Sequence, residues 1–424
     1  MDTRLRSYFM ALVVSALCLF LAEEAWGQRC EIFDETMKTL RLSVDGETGR
    51  GLPVIRKGTT DHLEVSFDYL THEYHRFLYR IEHLDANFRP EASLLESDYA
   101  QTTADYGLVD DGEQSENPTV LYTHYAFSLP SEYIRPLLSG NYVLNIYLED
   151  EDGTPRLSAR CYFFVLEELS SITISATTNT EVDWNSRHQQ LTVQAAWPTL
   201  HVRNPENEIY LVALQNGRWE TAKAGAKASF TGAAGMKWEH SRELIFPAGN
   251  EYRKYELQST RFPGLHIESV RFYDPFYHVQ LFADDVRRNY LYDEDQNGRF
   301  VPLANDENST AAWTAEYAWT HFTLALREDE EPPAGDVTVV GQWLDGSGEK
   351  AHARMTYNPA DRTFSTALLL KQGYYSYRYE SEDEAVEGDF HQTENEYTVL
   401  LYYRETGSRY DRLIGYRHVS YKPQ

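Results

Sequence analysis

The segment Tyr397–Tyr403, YTVLLYY, constrains the architecture more than any other stretch of the chain. Side chains on a strand alternate between two faces. One face here carries Tyr397, Val399, Leu401 and Tyr403, and the other carries Thr398, Leu400 and Tyr402. A strand packed on one side only alternates apolar with polar residues. This one has bulk on both faces. One face is expected to enter a domain core; the other must meet a neighbouring domain, a partner or an aromatic surface cluster. No catalytic signature accompanies it.

Strand signals recur through the rest of the chain. Leu63–Phe67, His75–Ile81, Thr123–Leu129, Asn141–Leu148 and Cys161–Leu166 are short runs rich in β-branched or aromatic residues. Ser139-Gly140-Asn141 and Glu151-Asp152-Gly153 punctuate them as turns. Further strands are expected at Ser171–Thr177, Gln189–Ala195, Glu208–Gln215, Glu243–Phe246, Tyr277–Phe282, His321–Leu326, Val337–Gln342, His352–Tyr357, Thr363–Leu370 and Tyr374–Tyr379. No convincing helix-period run occurs outside the N-terminus. The expectation is an all-β chain of three consecutive immunoglobulin-like or β-sandwich domains after a signal peptide. The domains are expected at residues 28–168, 169–312 and 313–424. A polar, acidic insertion, Glu91–Pro118, reads as a long mobile loop in the first.

The first 27 residues read as a secretory signal. Arg4 and Arg6 form its basic start, Tyr8–Ala22 its apolar stretch, and Ala25-Trp26-Gly27 its small-residue cleavage site. The apolar stretch falls short of the span of about 20 residues that a transmembrane helix needs. The mature chain is expected to start near Gln28. Arg29 precedes Cys30, where a lipid-anchor signal needs a small residue. No direct membrane insertion is expected.

Formal net charge is −27. Such a surface argues against nucleic acid and against anionic headgroups, both of which need clustered Lys and Arg. Of three cysteines, Cys18 leaves with the signal, and Cys30 and Cys161 remain. In an exported protein such a pair forms a disulfide or stays as two separate thiols.

Three motifs invite chemistry, and each has a plainer reading. Asp293, Asp295, Asn297 and Gly298 have the spacing that opens a calcium loop, but its twelfth position is Ala304 instead of Glu. The plainer reading is an Asp/Asn-rich hairpin turn. His72 and His75 are one residue short of the zinc-protease spacing, and on a strand they would point to opposite faces. No nucleophile elbow, phosphate loop or dinucleotide fingerprint occurs. No catalytic residue, cofactor or metal site is assigned, although an unmarked pair of acids for hydrolysis stays open. The stretch Val337–Tyr379 is similar to immunoglobulin-like modules related to starch- and glycogen-binding domains. Trp343 is then a platform for a sugar ring, or else a loop or core residue.

Taken in order, several strings resemble the plug protein family of the type IX secretion system. They include His83-Leu84-Asp85-Ala86-Asn87-Phe88-Arg89-Pro90, Tyr122-Thr123-His124-Tyr125 and Ser139-Gly140-Asn141-Tyr142. The middle contributes Gln215-Asn216-Gly217-Arg218-Trp219, Phe246-Pro247-Ala248-Gly249-Asn250-Glu251-Tyr252-Arg253 and Asp295-Gln296-Asn297-Gly298. The tail contributes Leu370-Lys371-Gln372-Gly373-Tyr374-Tyr375, Thr393-Glu394-Asn395, Tyr402-Tyr403-Arg404 and Arg409-Tyr410-Asp411. Leu84 and Phe88 stand where the family often has Cys and Trp. The resemblance implies a non-catalytic periplasmic protein that seals the inner mouth of the type IX outer-membrane translocon barrel. Its partner would be that barrel, and Trp343, Tyr374, Tyr375, Tyr402 and Tyr403 are the candidate interaction residues. A periplasmic or surface glycan-binding sandwich is the alternative.

Overall fold

The computed structural model describes residues 30–45, 51–304, 310–382 and 386–423. The expected signal segment lies outside the described residues. The chain is nearly all β, and the sheets pair face to face into three sandwiches.

In the first sandwich, one sheet runs in the order Glu31–Ile32, Pro155–Leu166, Gly140–Glu149, Phe77–Leu84, Gly107–Val109. The facing sheet runs Met37–Val44, Leu63–Tyr69, Thr123–Leu129, Asp111–Gln114. Period-two patterning explains the packing. Leu63, Val65 and Phe67 are fully buried against Tyr142, Leu144 and Ile146, while Glu64 between them faces solvent. The acidic insertion is not a free loop. Gly107–Val109 pairs with Phe77–Tyr79, and Asp111–Gln114 pairs with Thr123–Ala126, so its backbone groups are tied into both sheets.

The second sandwich is built from two distant pieces of chain. Ser171–Thr177, His188–Ala196, Gly235–Trp238, Phe230–Gly232 and Ile245–Pro247 form one sheet. The other runs Arg218–Ala224, Ile209–Gln215, Asn395–Tyr403, Arg412–Tyr421. Ile209 is opposite Tyr403 and Gln215 opposite Tyr397. The third sandwich lies between these pieces in sequence. Its sheets are Arg253–Glu256, Gly373–Glu380, Phe300–Pro302 and Thr338–Val340, facing Ile267–Tyr273, Phe276–Leu281, Tyr317–Ala325, Thr363–Lys371 and Thr356–Asn358. The boundary expected at residue 312 therefore falls within a sandwich, because Phe300–Pro302 pairs with Gly373–Tyr375. The tail returns to complete the second sandwich instead of closing the third. Only long-range pairing fixes that return, and no composition break announces it.

Two glycines mark close approaches. Gly140 has φ +140°, and a Cβ there would meet His83 Nε2 at 2.5 Å and the Asp411 carbonyl at 2.8 Å. Gly373 opens a strand, and a Cβ there would meet Phe300 at 2.4 Å.

Candidate interaction surface

All nine residues of Asn395–Tyr403 are buried. Tyr397, Val399, Leu401 and Tyr403 enter the core of the second sandwich with Leu191, Val193 and Trp238. Leu400 and Tyr402 pack on Ala86, Phe164 and Leu166 of the first. The second face of the tail strand is thus covered by a neighbouring sandwich of the same chain. Phe88 joins this contact, its ring edge-on to Trp219 at 4.9 Å.

Polar junctions fasten the three bodies. The Tyr402 hydroxyl donates to Asn141 Oδ1 at 2.8 Å, and Asn141 in turn donates to the Asp85 carbonyl. Between the first and third sandwiches, Lys371 Nζ donates to Asp68 Oδ2 at 2.5 Å, Tyr317 donates to the same oxygen at 2.6 Å, and His124 meets Oδ1 at 2.7 Å. Burial drives the Lys371 ammonium down from its ordinary value, and Asp68 opposes that shift. Asp68 itself stays below the usual carboxylate range, because Lys371 and His124 outweigh its own burial. Lys38 pairs with Glu349 at 2.5 Å across the same junction. Between the second and third, Arg299 grips Glu396 through two bonds of 2.6 and 2.9 Å. Removing one partner of a buried pair costs about 3–5 kcal/mol, because the other charge is stranded. These junctions make the sandwiches one body.

The residues expected to face a partner are placed otherwise. Trp343 is 7% exposed, its Nε1–H donating to the Ser376 carbonyl at 2.9 Å and its ring edge-on to Tyr375 at 5.1 Å. It is a core residue, not an exposed platform for a glycan. Tyr375, Tyr402 and Tyr403 are buried as well, and Tyr374 is half-buried. Large aromatic residues on a strand signal burial first, and here the burial is between sandwiches.

The other motifs resolve into structure. Asp293 pairs with Lys254 at 2.5 Å, and Asp295 accepts the backbone N–H groups of Tyr252 and Asn297. Burial pushes the Asp295 carboxyl up to about 7. The run is a turn, with Asn297 and Gly298 at φ 49° and 85°. His72 and His75 lie in a loop before the strand Phe77–Leu84; His72 meets the Ser115 carbonyl and His75 the Thr71 hydroxyl. Among the described residues, no cluster of three or more His, Cys, Asp or Glu is placed to hold a metal ion. Cys30 and Cys161 do come together, their Sγ atoms 2.8 Å apart, and burial pushes the Cys161 thiol up.

Exposed apolar side chains concentrate around one hairpin of the third sandwich. Ile267–Tyr273 is an edge strand, and Phe272 and Tyr273 project from its end, Tyr273 being 55% exposed. Phe262, Leu265 and Phe282 are exposed at its other end. On the outer face, His278 Nδ1 lies 2.9 Å from His321 Nε2, and Tyr273 meets His278 edge-on at 5.4 Å. Burial, then His278, holds His321 below its ordinary value. An unpaired aromatic edge is a surface that proteins usually protect unless a partner uses it. This edge is absent from the strands expected from the sequence. Its signal was RFYDPFYH, aromatic residues on both sides of an Asp-Pro turn.

This architecture defines an all-β protein of several sandwiches, with no helix among the described residues long and apolar enough to cross a membrane. Residues 37–167 match the family described as type 9 secretion system plug protein, first domain. A crystal structure of a hypothetical protein from Parabacteroides merdae ATCC 43184 is 31% identical, with TM-score 0.86 over 93% of this chain and 100% of that one. The chain belongs to the type IX secretion system plug protein family. A serine-rich repeat protein from Streptococcus agalactiae (7% identical, 92% of this chain and 94% of that one, TM-score 0.15) is too remote to carry an argument. So is a collagen adhesin from S. aureus (9% identical, 93% and 97%, TM-score 0.11). No curated protein matches.

Proposed function

We propose that this protein is a non-catalytic periplasmic plug, which binds the periplasmic mouth of the type IX outer-membrane translocon barrel and seals it. The family match over residues 37–167 carries this reading. The physics supports it: closing a wide pore needs a body that does not bend, and buried ion pairs lock the three sandwiches together. Sealing needs shape and contact area but no chemistry; a stable interface buries roughly 1,200–2,000 Å² in total. The contact surface includes the edge hairpin bearing Phe272 and Tyr273, because aromatic side chains on an open sheet edge supply area and unused backbone partners. Cys30 and Cys161 pair as a disulfide in the oxidising envelope.

Co-isolation tests the reading. Tagged protein recovered from solubilised outer membranes is expected to bring a large β-barrel with it, and loss of Phe272 and Tyr273 is expected to weaken that recovery. Recovery of the folded protein with no barrel would contradict it.

A further inference from the structure

A cavity of about 200 Å³ lies where the three sandwiches meet. Its apolar wall includes Leu42 of the first, Trp219 of the second, and Phe300, Trp343, Leu370 and Tyr375 of the third. Four charged side chains border it. Arg299 is held by Glu396, Lys371 by Asp68 and Asp345 by Lys350. The fourth, Arg41, differs. Its guanidinium lies 5.6 Å from the Phe300 ring centroid and makes no hydrogen bond or ion pair among the described residues. Burial draws its pKa below the ordinary arginine value.

Asp68 cannot neutralise Arg41 fully, because it already accepts from Lys371 and Tyr317 and meets His124. Among the described residues the cavity therefore keeps an excess of one positive charge. In a chain with 66 acidic and 39 basic residues, pairing that guanidinium with a carboxylate would be easy. Leaving a half-buried cation without a partner costs free energy unless an anion fills the gap. Arginine suits a carboxylate through two parallel N–H···O bonds. Most of the remaining wall is aliphatic and aromatic, with Thr39, Gln342 and Ser347 as its uncharged polar members, so most of the occupant beyond its carboxylate must be apolar. The volume limits it to a small molecule.

We propose that this cavity binds a small organic monocarboxylate, with its carboxylate on Arg41 and its apolar body against Phe300, Trp343 and Tyr375. The site is independent of the plug reading, and it can hold or fail without the barrel. Octanoate and phenylacetate titrated into the full mature chain, followed by calorimetry and tryptophan fluorescence, test it. Both carboxylates are expected to bind and to perturb the emission of Trp219 or Trp343. Arg41→Leu is expected to weaken binding by about tenfold or more, as loss of a charge-assisted pair requires. The ligand-free Arg41→Leu chain should melt no lower than the parent, since it loses an uncompensated charge. Arg41→Lys should restore part of the affinity. The proposal is overturned if neither carboxylate binds at about 5 mM, or if 1-octanol binds as well as octanoate. It is also overturned if sulfate binds as tightly as octanoate, or if Arg41→Leu leaves carboxylate affinity unchanged.

Discussion

The hydroxyl of Tyr402, on the tail strand, donates to Asn141 Oδ1 in the first sandwich across 2.8 Å, and neither group is exposed. This bond joins residues 261 positions apart in sequence. It lies beside the apolar contact of Leu400 with Phe164 and Leu166. Tyr402→Phe keeps the ring and strands the Asn141 oxygen, which should lower stability by about 1–3 kcal/mol. Tyr402→Ala also opens a cavity and should cost about 3–5 kcal/mol. Urea unfolding of the two variants checks the order.

The junction of Asp68 and Lys371 makes a stronger demand. Lys371→Met leaves a buried carboxylate with Tyr317 and His124 only and should cost about 3–5 kcal/mol. The double variant Asp68→Leu with Lys371→Met removes both charges. It should be less destabilised than the sum of the two single variants, and a double-mutant cycle measures the difference.

Trp343 separates a core from a sugar platform. Its indole is enclosed and bonded to Ser376, so Trp343→Ala should lower stability by about 3–5 kcal/mol. Glycan-array signals should not differ between parent and variant under conditions where both are folded. Selective loss of a sugar signal would restore the glycan-binding alternative.

Asp295 gives stability a pH dependence of known sign. Burial raises its carboxyl to about 7 in the folded chain, against 3.8 for an ordinary aspartate. Between these values the folded state binds the extra proton, so this contribution is present near pH 4 and is lost as pH rises through 7. His321, held low, contributes with the opposite sign, since that stability is lost as pH falls through the ordinary histidine value. The difference between the parent and Asp295→Asn isolates the acid. The parent's advantage should shrink between pH 5 and pH 8, and thermal melts at several pH values show whether it does.

Cys30 and Cys161 yield a simple count. With their sulfurs 2.8 Å apart, export into an oxidising compartment should leave no titratable thiol in the unfolded, unreduced chain. Two titrated thiols would show that the pair stays reduced.

The strand Thr123–Leu129 was legible in the sequence to the residue, as was Ser171–Thr177, because period-two patterning and turn residues are local signals. The double-faced tail strand was also legible as something covered on both sides. What covers it was not, because Phe164 and Leu166 meet Leu400 only through the fold. The same limit hid the Asp68–Lys371 junction and the return of the tail to the second sandwich. It also inverted the interaction residues. Aromatic content marked Tyr402, Tyr403 and Trp343, and the structure uses all three inside. The exposed edge at Phe272 and Tyr273 carried a weaker signal, since a short aromatic strand reads alike whether it is buried or at an edge.

Electrical recording tests the sealing claim most directly. The purified translocon barrel, placed in a planar bilayer, should pass a large current that collapses when this protein is added from the periplasmic side. Binding that leaves the open current unchanged would contradict the account.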